Sequence, residues 1–171
     1  MPRTSNGFTL IELLVVMFII GITLNFAVLA LRNVDPVAQV ESEAKRLKAR
    51  LELASQEAIL QSKELGLLTG EKGYRFLALK KDKWVSAGDE FLKDRTLGEG
   101  MRLAVTVEGN APKEEEEEEG NEKTLAPQVW ILYTGEMTPF EITLRSEDSP
   151  VYFTLNGTEL GDVEIVRHDE S

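Results

Sequence analysis

The sequence predicts an α+β protein in which a long N-terminal α-helix, half membrane-spanning and half amphipathic, packs on antiparallel β-sheet. Three observations predict it. No charged residue occurs from Leu13 to Leu31, 19 positions in succession. Beyond that run, Val37, Val40, Ala44, Leu47, Leu51, Ala54 and Ala58 recur at alternating spacings of three and four, the apolar stripe of one helix face. After Gly70 the pattern changes to short runs with a period of two, such as Met101, Leu103, Val105 and Val107, which is the signature of half-buried strands.

The uncharged run comes first in the chain. At a rise of about 1.5 Å per residue it spans about 28 Å, close to the hydrocarbon thickness of a bilayer. A secretory signal peptide competes with this reading, but such a peptide has a shorter apolar core followed by a small-residue cleavage site. Here the chain continues Arg32-Asn33-Val34-Asp35-Pro36. The start is also unlike a plain anchor. A short polar stretch, Met1 to Gly7, leads into Phe8-Thr9-Leu10-Ile11-Glu12-Leu13, so a carboxylate sits at the head of the apolar run. An acidic group there costs about 2.5–3.5 kcal/mol at the centre of a bilayer and less near its interface, which makes Glu12 a candidate functional residue. The alternative is a glutamate that merely reaches the lipid headgroups.

The stretch Gly7-Phe8-Thr9-Leu10-Ile11-Glu12-Leu13 resembles the cleavage and methylation motif shared by type IV pilins and type II secretion pseudopilins. The resemblance implies a type IV pilin-like fold and three segments. Residues 1–7 would be a prepilin leader, 8–31 a transmembrane and assembly helix, and 32–171 a periplasmic globular domain. It also implies that prepilin peptidase cuts between Gly7 and Phe8 and methylates the new amine of Phe8. A glycine at that point lets a protease approach the backbone closely. Glu12 would complement the positive helix N-terminus and pair with the N-terminal amine of a neighbouring subunit, fixing axial register. Orientation rests on the resemblance, because Arg32, Lys45, Arg46, Lys48 and Arg50 lie on the side assigned to the periplasm, contrary to the positive-inside tendency.

Past the anchor, Pro36 is expected to kink or break the long helix, and Gly66 and Gly70 to close the helical region. The stripe from Val37 to Ala58 fits either the protein's own sheet or a seam with a partner. Its small residues favour the sheet. About seven strands are expected: Tyr74 to Leu79 and Lys83 to Ala87 about a short Lys80-Lys81-Asp82 turn, Met101 to Val107, Val129 to Tyr133 as a buried strand, Phe140 to Leu144, and Val151 to Leu155 and Val163 to Val166 on either side of an Asn156-Gly157 turn signal, whose spacing implies a loop rather than a two-residue hairpin. Residues 112–123 hold Glu114 to Glu119 in succession. Such a run repels itself and reads as a disordered acidic loop. Calcium needs convergent oxygens in a defined loop, which a homopolymer does not supply.

Composition narrows the function classes. A net charge of −11 disfavours nucleic acid as a partner, because phosphate binding needs clustered cations. With no cysteine there is no disulfide or thiolate metal site, and the lone histidine, His168, reads as part of a solvated tail. No nucleophile–base set, metal-ligand cluster or phosphate-binding glycine loop stands out, so no catalytic residue, cofactor or metal is expected and an anchored enzyme is disfavoured.

A second stretch, Gly135-Glu136-Met137-Thr138-Pro139-Phe140-Glu141-Ile142-Thr143-Leu144, resembles the C-terminal part of GspH, a minor pseudopilin family of type II secretion, with FimT pilins sharing a similar region. Its bland reading is a glycine turn, a proline entering an edge strand, and alternation thereafter. The resemblance implies a structural subunit at or near the tip of a periplasmic pseudopilus that helps export folded proteins. Its implied partners are the major pseudopilin, other minor pseudopilins, prepilin peptidase, the inner-membrane platform and membrane lipid. The implied place is the bacterial inner membrane, crossed once. The alternative is a minor type IV pilin of the FimT kind, serving pilus assembly, adhesion or DNA uptake.

Overall fold

A computed structural model describes residues 10–31, 35–88, 90–107 and 126–170, with the side chains of 24–31 left aside. The expectations for Gly7, for Phe8 and for the acidic run at 112–123 lie outside the described residues. The chain divides into two units, Met1–Asp35 and Pro36–Ser171.

In the first unit, α1 runs from Leu10 to Leu31. In the second, α2 runs from Pro36 to Gln61. Pro36 therefore occupies the first turn of a helix, where its missing N–H costs nothing and its fixed φ suits the entry. The stripe lies as expected. Val40, Ala44, Leu47, Leu51, Ala54 and Ala58 are fully buried and Val37 partly so. Full burial of Leu47 or Leu51 is worth roughly 1.5–3 kcal/mol each. The outer faces carry the charges, with Glu41–Lys45 paired at 2.7 Å and Lys48–Glu52 at 3.6 Å.

The helix ends earlier than the glycines suggested. Ser62 takes a left-handed conformation at φ 48. Its N–H donates to the Ile59 carbonyl at 3.3 Å, and the Lys63 N–H donates to the Ala58 carbonyl at 3.1 Å. This pair of bonds closes α2 without a glycine. Gly66 and Gly70 instead belong to a strand, β1 (Leu65–Gly70), that the sequence pattern did not announce. A Cβ at Gly66 would come within 2.5 Å of the Pro127 ring, so the residue allows a close approach rather than a helix stop.

Eight more strands follow: β2 (Gly73–Lys80), β3 (Lys83–Ser86), β4 (Arg95–Thr96), β5 (Met101–Val107), β6 (Val129–Ile131), β7 (Phe140–Ser146), β8 (Val151–Gly157) and β9 (Val163–Asp169). They form two sheets in which all pairings are antiparallel. One has the order β3-β2-β1-β6, with β4 also on β2; the other has the order β5-β7-β8-β9. The β2–β3 hairpin turns at Lys81 and Asp82, both at positive φ, as a two-residue loop that matches strand twist requires.

The inner face of the second sheet alternates as its sequence does: Met101, Leu103 and Val105, then Phe140, Ile142 and Leu144, then Val151, Phe153 and Leu155 are buried. Helix α2 lies against β7, β8 and β9 and also reaches β1 and β6 of the first sheet. Its stripe thus packs on the protein's own sheets.

Three further expectations are corrected. The run from Val129 to Tyr133 is not buried throughout. Val129 and Ile131 are, but Trp130 points outward against Trp84 and Tyr133 lies in an exposed turn. Asn156 and Gly157 are the last residues of β8, paired with Glu141 and Phe140; the chain turns over Thr158 to Asp162 instead. His168 is no solvated tail residue. It sits in β9, stacked on the Tyr152 ring at 4.7 Å, with a ring nitrogen 2.9 Å from the Thr154 hydroxyl.

Candidate functional site

The first candidate is α1. Its composition leaves no polar face: Leu10, Ile11, Leu13, Leu14, Val15, Val16, Met17, Phe18, Ile19, Ile20 and Ile22 follow with only Glu12 and Gly21 between them, and each of these apolar side chains is exposed. A helix apolar all round has no stable exposure to water; it belongs in lipid or in a bundle of similar helices. Its one hydroxyl in this stretch is satisfied internally, since Thr23 donates to the carbonyls of Ile19 and Ile20. Backbone and hydroxyl alike therefore tolerate an apolar medium. Glu12 stands in the first turn, where its negative charge complements the helix N-terminus. Among the described residues no helix is long and apolar enough to cross a membrane. The side chains of α1 are described only from Leu10 to Thr23, so the expected span over 8–31 reaches beyond them.

The second unit holds a group that sequence reasoning missed. Glu43 lies on the buried face of α2, only 4% exposed, amid the apolar stripe. The Tyr74 hydroxyl of β2 donates to its Oε1 at 3.0 Å. Arg95 of β4 grips both oxygens, Nε to Oε1 at 3.2 Å and Nη2 to Oε2 at 3.0 Å. Arg46, one turn along α2, donates to Oε2 at 2.7 Å. Burial pushes the Glu43 carboxyl up, but the bonds from Arg95 and Tyr74 and the charges of Arg95 and Arg46 outweigh it, so the carboxyl is held below its ordinary range. Burial first, and then the Glu43 charge, raise the Tyr74 phenol. The Arg95 guanidinium is raised chiefly by its bond to Glu43.

This constellation has no open face for a substrate. Every oxygen is engaged, and the group ties α2 to β2 and β4. A signal for it was present: Glu43 follows Val40 by three and precedes Leu47 by four, which puts a charge on the apolar face, with Arg46 at i+3.

The 135–144 stretch also resolves into structural roles. Gly135 turns the chain at φ 92. Met137 is buried and bridges to Ile131. The Thr138 N–H donates to the Trp130 carbonyl, and its hydroxyl accepts from the Trp130 N–H, closing β6. Phe140 then opens β7 in the core. The glycine turn and the alternation are as expected, but the strand that Pro139 leads into is no edge strand: β7 lies between β5 and β8, and Pro139 stands just before its first residue, where no ladder N–H is needed. Among the described residues no group of acidic or imidazole side chains is placed to hold a metal ion.

Comparison with known proteins follows the same division. Residues 2–24 match the family described as the prokaryotic N-terminal methylation motif, and residues 43–161 match the family described as type II transport protein GspH. Type II secretion system protein H of Aeromonas hydrophila is 30% identical over 97% of this chain and 96% of its own length. The protein of the same name from Pseudomonas aeruginosa is 31% identical over 96% and 99%. A crystal structure of the minor pseudopilin EpsH from the type II secretion system of Vibrio cholerae superposes with a TM-score of 0.64 at 25% identity, over 77% of this chain and 98% of that one. The solution structure of Escherichia coli GspH gives 0.58 at 20% identity, a likeness of fold. One match falls in each unit.

Proposed function

Because this chain belongs to the GspH family of type II transport proteins, we propose that it serves as a minor pseudopilin of a type II secretion system, at or near the tip of the periplasmic fibre that helps export folded proteins. The observation that carries this reading is the union, in one chain, of a methylation-motif helix at residues 2–24 and a GspH body at 43–161. The match over the body favours secretion over a type IV pilus.

In this reading the work is mechanical, and no residue acts as a catalyst. Prepilin peptidase cuts between Gly7 and Phe8 and methylates Phe8. The helix from Phe8 to Leu31 holds the subunit in the inner membrane, with the body in the periplasm. On assembly it leaves lipid for a bundle of similar helices, an exchange between two apolar media that costs little hydrophobic free energy. What specifies register is then the charge pair between Glu12 and a neighbouring subunit's amine, because an unpaired charge is expensive in such a bundle.

The test is to replace the gene by one coding for Gly7→Trp. Mass spectrometry of wild-type protein from membranes is expected to find a chain beginning at Phe8 with one methyl group on its amine. The variant is expected to keep all seven leader residues, and its cells to retain folded exoproteins in the periplasm. A wild-type chain that keeps the leader, or lacks the whole apolar segment, overturns the processing; undiminished export by an unprocessed variant overturns the role.

A further inference from the structure

The end of α2 remote from Pro36 carries an apolar surface that the function above does not use. Ile59 is half-exposed, Leu60 and Leu160 are largely exposed, and Tyr133 is exposed. Ile59 and Leu60 belong to the last turn of α2, roughly 35 Å along the helix from Pro36. Tyr133 lies in the turn after β6, and Leu160 in the turn between β8 and β9. A turn tip is ordinarily polar, so leucine at the tip of the Thr158–Asp162 turn calls for an explanation.

These turns are built onto the helix end. Gly135 and Gly161 both adopt positive φ, at 92 and 88. A Cβ on Gly135 would press on the Ile59 Cδ1 at 3.1 Å, and one on Gly161 would meet the Gly135 carbonyl oxygen at 2.5 Å. The Met137 N–H ties the two turns together by donating to the Glu159 carbonyl at 3.1 Å, while Thr158 N–H to the Asp162 carbonyl at 2.9 Å and Gly135 N–H to the Leu132 carbonyl at 3.0 Å close each turn on itself. Apolar side chains held outward on a hydrogen-bonded frame lose little further freedom on binding, which favours recognition.

The rim decides what fits. Glu136, Glu159 and Asp162 belong to the same two turns as Tyr133 and Leu160 and are exposed, and no ion pair among the described residues engages them. A second copy of this chain meeting this one symmetrically would bring the same acidic rim against itself, and each copy carries a net charge of −11, so a two-fold dimer through this surface is opposed. Anionic lipid is opposed for the same reason.

We propose that Ile59, Tyr133 and Leu160, with Glu136, Glu159 and Asp162 of the same turns, form the docking surface for the globular body of another pseudopilin, one that presents an apolar side chain flanked by lysine or arginine. The inference rests on the reading of this chain as a fibre subunit. The exposed apolar side chains carry affinity, and the acidic rim selects the partner and speeds encounter.

The test uses the full chain in detergent and the purified bodies of the other pseudopilins of the same secretion system, each titrated separately. One of them is expected to bind. Leu160→Asp and the double variant Glu159→Lys, Asp162→Lys are each expected to weaken that binding at least about tenfold, the double variant less so in high salt. Leu160 is largely exposed, so its substitution leaves the fold intact; unchanged thermal melting checks this. Ala104→Glu, on the outer face of the second sheet, is the control and is expected to bind as wild type. Undiminished binding by Leu160→Asp overturns the surface while leaving the fibre role standing. So does binding by no pseudopilin body. Dimerisation of the full chain abolished by Leu160→Asp would assign the surface to a second copy, and Leu160-dependent binding of its body to phosphatidylglycerol vesicles would assign it to lipid; either overturns the proposal. If Gly7→Trp also leaves export intact, the fibre role falls separately.

Discussion

The two helices of this chain treat their apolar residues in opposite ways. Helix α2 gathers them on one stripe and buries that stripe on two sheets of its own chain, leaving Glu41, Lys45, Lys48 and Glu52 outward. Helix α1 spreads them over every face and buries none in the described part. Each helix also carries one glutamate among its apolar residues. In α2, Glu43 has its partners inside the same body, two arginines and a tyrosine within 3.2 Å. In α1, Glu12 stands at the head of a helix whose whole surface is suited to other helices or lipid. The comparison teaches that a carboxylate on an apolar face can lock register within one body, as Glu43 does between α2 and the strands β2 and β4; the role proposed for Glu12 is the same device used between subunits.

The sharpest way to break the comparison is to remove the internal device. Glu43→Ala leaves Arg95 and Tyr74 without their shared acceptor beneath α2. Breaking a buried ion pair on one side costs about 3–5 kcal/mol, and the partial exposure of both arginines puts this case at the low end, about 3 kcal/mol. Chemical denaturation of the full chain in detergent checks it, and a loss under about 1 kcal/mol would show that the constellation is incidental. Acid gives the same answer from another side. The folded-state pKa of Glu43 is depressed, so its contribution is complete above the unfolded value of about 4.3 and is lost as pH falls through the lower folded value. Wild type is expected to lose more stability across that window than Glu43→Gln does.

Removing the other glutamate is expected to do the converse. Glu12→Leu leaves the melting of the body unchanged and membrane insertion intact, because leucine suits an apolar helix better than a carboxylate does. Crosslinking to neighbouring pseudopilins is expected to fall about tenfold, equivalent to about 1.4 kcal/mol. Undiminished crosslinking would make Glu12 a residue that only reaches the headgroups, and the parallel with Glu43 would fail.

How much of this was legible beforehand follows from the kind of signal each residue leaves. The stripe of α2 was legible because burial on a helix repeats at three and four, and β5 and β7 because burial on a strand repeats at two. The motif around Gly7, Phe8 and Glu12 was legible as a resemblance, and no pattern of burial would have revealed it. Strand β1 was not, because its two glycines read as a helix stop. Gly66 in fact answers to Pro127, a residue distant in sequence, and such contacts leave no local trace. Glu43 was hidden for a related reason: its partners on β2 and β4 come from distant parts of the chain, and only its place on the stripe hinted at them. His168 was misplaced because its partners, Tyr152 and Thr154, belong to another strand and the residue lies close to the end of the sequence.

The smallest expected effect concerns how α2 stops. Ser62 holds a left-handed conformation at φ 48, which costs a residue with a Cβ about 1 kcal/mol. Glycine adopts it freely but surrenders more backbone entropy on folding. The first effect outweighs the second at this position, because the bonds from Ser62 to Ile59 and from Lys63 to Ala58 fix the conformation whatever the residue. Ser62→Gly is therefore expected to raise stability by about 0.5 kcal/mol, and Ser62→Val, branched at Cβ, to lower it by about 1 kcal/mol. The opposite order in thermal melting would mean that α2 ends by a different geometry. That result would also move Ile59 and Leu60, and with them the surface they share with Tyr133 and Leu160.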